Sequence, residues 1–255
     1  MSAGLVGAAA LERRLLGDET AIVPYLTGGF PTMSSFQDAL EALSAGSIAV
    51  EIGIPFSDPM ADGATIQESS RTALESGTTL DSILTAIENL APLRSDLVVM
   101  SYLNPLMAYG FDRLVPRLAG TGVAALVVPD LPLEESTELG SVARDHGIGL
   151  VQLVSPVTSE ERLGVLGRTS EGFTYAVTMT GTTGGTTGSG QDVSDYLDRV
   201  RAASRPPVLA GFGVRNAEQV RALAPHCDGV IVGSALVEVL ASGNDPLTFL
   251  AGLRQ

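Results

Sequence analysis

The sequence predicts an α/β protein, a (β/α)8 or TIM barrel built as a single domain over residues 1–255 and opened by a short N-terminal helix. Three observations lead there. The chain has 255 residues, a length that one α/β barrel accommodates. Hydrophobic residues make up 45% and charged residues 17%, which supports a large buried core and excludes a disordered or fibrous chain. Short apolar runs recur along the chain, each followed by a Gly/Pro/Asp turn and then a helical segment. Strands buried on both faces read as continuous apolar runs, and their alternation with helices indicates parallel pairing.

The opening MSAGLVGAAALERRLL sets small apolar residues before Arg13 and Arg14, the reverse of a secretory signal, and reads as an amphipathic helix. Strands are expected at 21–27, 48–54, 97–102, 124–129, 148–154, 173–178, 207–211 and 229–233, with helical segments such as SSFQDALEALSAG between them. An open doubly wound sheet is the alternative. It would follow its first strand with a G-x-G-x-x-G turn, whereas TGGFP stands here and places Pro31 where the helix should begin, so the barrel is preferred. The Gly/Thr-rich stretch 178–190 reads as a long loop after the sixth strand, on the face where barrels carry their active sites.

Composition removes several chemistries. All 15 basic residues are arginine, so a Schiff base, a covalently held pyridoxal group and a P-loop lysine have no amine to use. The one cysteine, Cys227, excludes an internal disulfide, and two histidines are too few for a His-rich metal cluster. A carboxylate-held metal stays open, and no metal ligand is assigned. A net charge of −14 repels nucleic acid and anionic lipid and leaves small molecules or proteins as partners. No apolar run approaches the roughly 18 residues that span a bilayer, and a cytoplasmic protein is expected.

In a parallel barrel the polar residues that matter end or follow the strands. Glu51 lies inside IAVEIGI, where a charged residue must face the barrel interior or be paired. An apolar setting raises a carboxyl pKa and suits it to proton transfer near neutral pH. Asp62 follows in the loop PFSDPMADG, long enough to fold back over the strand end and bring a second acid opposite the first. The structural alternative makes Glu51 an arginine-paired core acid and Asp58 and Asp62 turn formers beside Pro59 and Gly63. Asp58 is read as a turn former and Glu51 as functional.

Glycine-rich turns at 181–184, at Gly211-Phe212-Gly213 and at Gly233-Ser234 follow the sixth, seventh and eighth strands and suggest a phosphate cradle of backbone N–H groups, with Ser234 also a helix N-cap. Tyr102 and Tyr175 offer hydroxyls or core packing. Tyr25, Met100 and Phe212 fit a flat apolar pocket for an aromatic ring. His146 and His226-Cys227-Asp228 fall at the opposite end of the barrel as caps or packing.

Residues 50–68, VEIGIPFSDPMADGATIQE, closely resemble the signature of the tryptophan synthase alpha chain family, and YLTGGFP, NPLMAYG, PDLPLEES and GFGVRNAEQV agree in order and spacing over nearly the whole chain. The resemblance implies a lyase that splits indole-3-glycerol phosphate into indole and glyceraldehyde 3-phosphate. It further implies an alpha2beta2 complex whose beta subunit consumes the indole and holds pyridoxal phosphate, with no cofactor in this chain. Matched residue by residue, Glu51 is the general acid/base, Asp62 the acid facing the indole nitrogen and Tyr175 the tyrosine beside them. Thr183, Gly184, Gly213, Gly233 and Ser234 match substrate- and phosphate-contacting positions, and Tyr25, Ile66, Met100 and Phe212 the indole pocket. The chain departs from the pattern in a second GTTG at 185–188, in Met179-Thr180, and in Ala64, where the family commonly has proline. Three rival readings are a stand-alone lyase releasing free indole, a barrel isomerase or epimerase acting on another sugar phosphate, and a non-catalytic activator of a beta subunit. Retention of both acids argues against the last.

Overall fold

The computed structural model describes residues 7–17, 19–178, 190–211 and 213–255. Strands β1 (Ala21–Thr27), β2 (Ala49–Gly53), β3 (Asp96–Met100), β4 (Val123–Val127), β5 (Gly149–Val154), β6 (Thr174–Val177), β7 (Val208–Gly211) and β8 (Gly229–Val232) pair in chain order. All pairs are parallel, and β8 returns to β1, so the sheet is a closed barrel and the open doubly wound alternative does not hold. Around it run α1 (Ala8–Leu15), α2 (Met33–Gly46), α3 (Ala64–Glu75), α4 (Leu80–Leu90), α5 (Leu103–Tyr109), α6 (Phe111–Gly120), α7 (Thr137–Asp145), α8 (Glu160–Thr169), α9 (Gly190–Ala203), α10 (Ala217–Leu223), α11 (Ser234–Ala241) and α12 (Pro246–Leu253). Among the described residues, no helix is long and apolar enough to cross a membrane.

Several strands are shorter than the apolar runs that announce them. The third stops at Met100 rather than at 102, and Tyr102 is instead the N-cap of α5. The fourth starts at Val123 and stops at Val127 rather than covering 124–129. Apolarity continues past the strand ends because Tyr102 and Val128 stay buried while the backbone turns away. The hydrogen-bond ladder, not the hydrophobic run, ends a strand.

The strand pleat sorts side chains into two shells. Ile22 and Leu26 of β1 and Val50 and Ile52 of β2 face outward and join Phe36, Leu40, Ile83 and Leu84 of the helices. Val23, Tyr25, Ala49, Val98 and Tyr175 face inward. Helix α1 closes the N-terminal end of the barrel with Leu11 and Leu15, both buried in that inner shell. Arg14 of the same helix pairs with Asp96, the first residue of β3. A side chain at Gly7 would meet the Gly147 carbonyl at 2.6 Å, and the backbone there adopts φ 113°, so this entry into α1 requires glycine. His146 caps α7 with Nδ1 2.9 Å from the Val142 carbonyl, and His226 Nδ1 lies 2.8 Å from Asp198, in the capping and packing roles expected of them.

Candidate active site

The inner face of β2 carries Ala49, Glu51 and Gly53 in alternation, so the pleat that buries Ala49 also turns Glu51 inward. Its register partners are Tyr25 on β1 and Val98 on β3. Glu51 is 1% exposed, and neither carboxylate oxygen has a hydrogen-bond partner among the described residues. The arginine-paired core acid of the alternative reading is therefore not what the structure contains. Burial first, and the neighbouring Asp62 second, push its pKa up to about 8.

Asp62 reaches the same place from the loop after β2. Its N–H meets the Pro59 carbonyl at 3.5 Å, and Gln67 Nε2 donates to the Asp62 carbonyl at 2.9 Å. The side chain is buried, and burial raises its pKa to about 6, with a hydrogen bond from Tyr102 opposing the rise. Tyr102 organises this loop from α5. Its hydroxyl oxygen accepts the Ala61 N–H at 2.9 Å, its O–H serves the Asp62 carboxylate, and its ring stacks on Phe56 at 5.2 Å. Asp58 stays outside the site as a turn former, accepting from Ser57 Oγ at 2.5 Å.

Two tyrosines lie flat on glycines of the next strand. A side chain at Gly53 would collide with the Tyr25 hydroxyl, and one at Gly211 with the Tyr175 ring. Gly211, expected as part of a phosphate turn, is thus first a space-maker for Tyr175. Gly213, two residues on, has φ 88°, a backbone conformation that favours glycine.

Glu51, Asp62, Tyr175, Tyr25, Ile66, Met100, Gly213, Gly233 and Ser234 line one cleft at the C-terminal end of the barrel, joined by Gly63 and Ile231. Thr183, Gly184 and Phe212, the remaining expected contacts, lie outside the described residues, as does most of the Gly/Thr-rich stretch. Ser234 differs in role from the expected N-cap. Gly233 is the N-cap of α11 and Ser234 its first residue, with no side chain capping the helix. Thr32, Thr79, Ser159, Asn216 and Asp245 cap α2, α4, α8, α10 and α12. The first N–H groups of α11 therefore have no side-chain cap, and Gly233 and Ser234 at this helix end line the cleft.

Two contributors, Ile231 and Gly63, are not among the candidates that the sequence singles out. Ile231 was legible, since it alternates with Gly229 and Gly233 on the inner face of β8. Gly63 follows Asp62 directly. Tyr102, offered by the sequence as a hydroxyl for the site or as core packing, acts through contacts that cross from α5 to the loop after β2.

A family model described as tryptophan synthase alpha chain matches residues 12–250. The chain belongs to the tryptophan synthase alpha chain family. A tryptophan synthase alpha chain of Nitratidesulfovibrio vulgaris is 42% identical over 251 residues, covering 96% of this chain and 98% of the relative. One from Oceanobacillus iheyensis is 38% identical, covering 93% and 91%. Among solved structures, aminoacrylate-bound tryptophan synthase from M. tuberculosis superposes with a TM-score of 0.86 at 32% identity, covering 95% of this chain and 97% of that one. The tryptophan synthase a2b2 complex from Pyrococcus furiosus gives 0.85 at 36% identity, covering 92% and 98%. The expected alpha-chain resemblance and barrel fold both hold.

Proposed function

We propose that Glu51 and Asp62 are the proton-transferring pair of an alpha-type lyase that cleaves indole-3-glycerol phosphate to indole and glyceraldehyde 3-phosphate in tryptophan biosynthesis, with residues 1–255 acting as one catalytic domain. The observation that carries this reading is the separation of two acids in one cleft, Glu51 at about 8 and Asp62 at about 6. At neutral pH the first is an acid and the second a carboxylate, the arrangement by which one site runs acid and base chemistry together.

The carbon–carbon bond breaks only if the indole ring leaves as something better than a carbanion. Glu51 in its protonated form donates to indole C3, and the positive charge spreads to the ring nitrogen, where the Asp62 carboxylate accepts the N–H and stabilises it. The Glu51 carboxylate then takes the proton of the adjacent glycerol hydroxyl. As that oxygen becomes a carbonyl, the bond to C3 breaks and its electrons return to the ring. One proton has been given and one taken, so Glu51 is regenerated. Tyr175, Tyr25, Ile66 and Met100 pack the ring, and Gly213, Gly233, Ser234 and the open end of α11 hold the phosphate, with Thr183, Gly184 and Phe212 proposed to complete these contacts.

The reaction needs no cofactor from this chain, and a lysine-free sequence has no amine to hold pyridoxal phosphate as a Schiff base. We assign pyridoxal phosphate to a beta subunit in an alpha2beta2 complex in the cytoplasm. Exposed Met60, Met107 and Val157 on the catalytic face supply an apolar rim for docking that partner. The test is the assay of purified chain, alone and with a beta subunit, for indole release from indole-3-glycerol phosphate. Indole formation that rises with the complex supports the reading, full activity without complex formation favours a stand-alone lyase, and no indole under either condition refutes it.

A further inference from the structure

Strands β4 and β5 pair only as far as Val127 and Val151, although β5 continues to Val154. Beyond that point the chain leaves β4 through 128–132 into a single 3-10 turn, Leu133–Glu135. Between this segment, β5 and α8 lies a cavity of about 340 Å3, within the roughly 300–1,000 Å3 of small-molecule sites. Val128, Leu131, Leu133 and Leu166 give it apolar walls, and Gln152 and Arg162 are among its polar groups.

Gln152 is the informative residue. It shares the outward face of β5 with Leu150 and Val154, away from the catalytic interior. It is 7% exposed, and its backbone N–H is held by Ser170 Oγ at 2.8 Å. Its side-chain amide makes no hydrogen bond among the described residues, yet it borders the cavity. A side-chain amide that borders a cavity with no protein partner among the described residues is free to bond a ligand there. The charged lining groups are already engaged. Arg162 is paired with both carboxylate oxygens of Glu134, and Asp130 accepts the Leu103 N–H at 2.9 Å.

We propose that this flank of the barrel is a second small-molecule site, separate from the lyase cleft, for a neutral ligand that presents an N–H and a C=O side by side. A primary amide offers the complementary acceptor and donors. A lactam fused to a flat ring satisfies both the amide and the apolar walls, whereas an ionised ligand finds no free counter-charge there.

The probe is 2-quinolone, a bicyclic lactam, titrated into the full chain while backbone 1H–15N resonances are followed. Saturable shifts are expected at Val128, Leu131 and Leu133 and at Val151 through Leu153. The dissociation constant should weaken roughly tenfold in Gln152→Leu, the scale of one to two neutral hydrogen bonds, and binding should vanish in Leu166→Trp, which fills the cavity. Neither variant should alter indole formation. Should Leu166→Trp fail to fold, Gln152→Leu, similar in size and apolar in a buried position, carries the test. Unchanged affinity in Gln152→Leu, shifts confined to the barrel mouth around Tyr25 and Gly233, or no saturation each overturn the proposal. Loss of the probe's shifts on adding a beta subunit assigns the cavity to a protein segment instead, and overturns it as well.

Discussion

Glu51 and Asp96 are both buried acids on the inner face of the barrel, one strand apart, and they are treated in opposite ways. Asp96 stands at the N-terminal end, where α1 folds underneath and supplies Arg14. Glu51 stands toward the C-terminal end with both oxygens unpartnered among the described residues and a second acid close enough to raise its pKa further. Burial raises both, but at Asp96 the arginine pulls back. A paired acid serves the fold, and an unpaired one is a standing cost that only chemistry explains. The two ends of one barrel therefore separate stability from catalysis, as parallel barrels do in general.

The sharpest way to break this contrast is Glu51→Gln. The amide keeps the shape but cannot carry a proton, so turnover should fall by roughly two to four powers of ten with substrate affinity little changed. Stability should move the other way. Wild-type Glu51 holds its proton in the fold up to about 8, whereas the unfolded chain releases it near the ordinary carboxylate value. Between those values the folded state binds more protons, so wild-type stability falls as pH rises. Thermal melts across that range should show Glu51→Gln gaining on wild type up to about pH 8 and level with it in acid. A variant that turns over substrate near the wild-type rate removes Glu51 from the mechanism.

Asp62→Asn should come next, with a loss of roughly one to three powers of ten, because the ring cation loses its counter-charge. In the wild type the pair should give a bell-shaped dependence of kcat/KM, rising as Asp62 ionises near 6 and falling as Glu51 loses its proton near 8. Those limbs belong to the coupled pair rather than to either residue alone. In Asp62→Asn the acidic limb should disappear. The basic limb should move down, since the neighbouring charge that raises Glu51 is gone. A profile with both limbs intact contradicts the assignment.

Tyr102→Phe isolates the support of Asp62 from Asp62 itself. The ring stacking on Phe56 survives, but the Ala61 N–H and the Asp62 carboxylate lose their shared hydroxyl. Turnover should drop about tenfold, and the acidic limb should shift upward, because the bond from Tyr102 is what holds the Asp62 pKa down. That shift is the diagnostic readout, since loosened packing alone would lower activity without moving the profile.

These residues also mark how far the sequence could be read. The barrel was legible because eight apolar runs impose two-sided burial, and Glu51 because a charge inside such a run must be either paired or functional. Asp62 was legible from loop length alone. The Tyr102 clamp, the collision of Tyr25 with any side chain at Gly53, and the uncapped start of α11 were not, since each depends on side chains that meet across elements far apart in sequence. The strand ends at Met100 and Val127 were missed for a related reason, because apolar character outlasts pairing there. The Arg14–Asp96 pair is of the same kind, joining a helix before β1 to the start of β3.

That pair gives the smallest catalytic effect and the cleanest control. In Arg14→Met the aliphatic stem is kept, so packing of α1 under the barrel is largely preserved while Asp96 stays buried without its partner. Removing one member of a buried pair is costly, but Arg14 is 42% exposed on its side-chain surface, and solvent screening reduces the loss to about 1–3 kcal/mol. A chain of this size loses roughly 2–4 °C of Tm per kcal/mol. The loss has a sign in pH. Asp96 already has a raised pKa from burial, and without Arg14 it rises further. The added destabilisation is then absent in acid, where Asp96 is neutral folded and unfolded, and grows as pH passes through the carboxylate range toward neutrality. Melts of wild type and Arg14→Met should converge at low pH and separate above it, while indole formation per folded molecule stays at the wild-type level throughout. If Arg14→Met instead lowered turnover as far as Tyr102→Phe, the N-terminal end would be shaping the catalytic cleft through the barrel. Asp96 and Glu51 would then have to be treated as one coupled system rather than two.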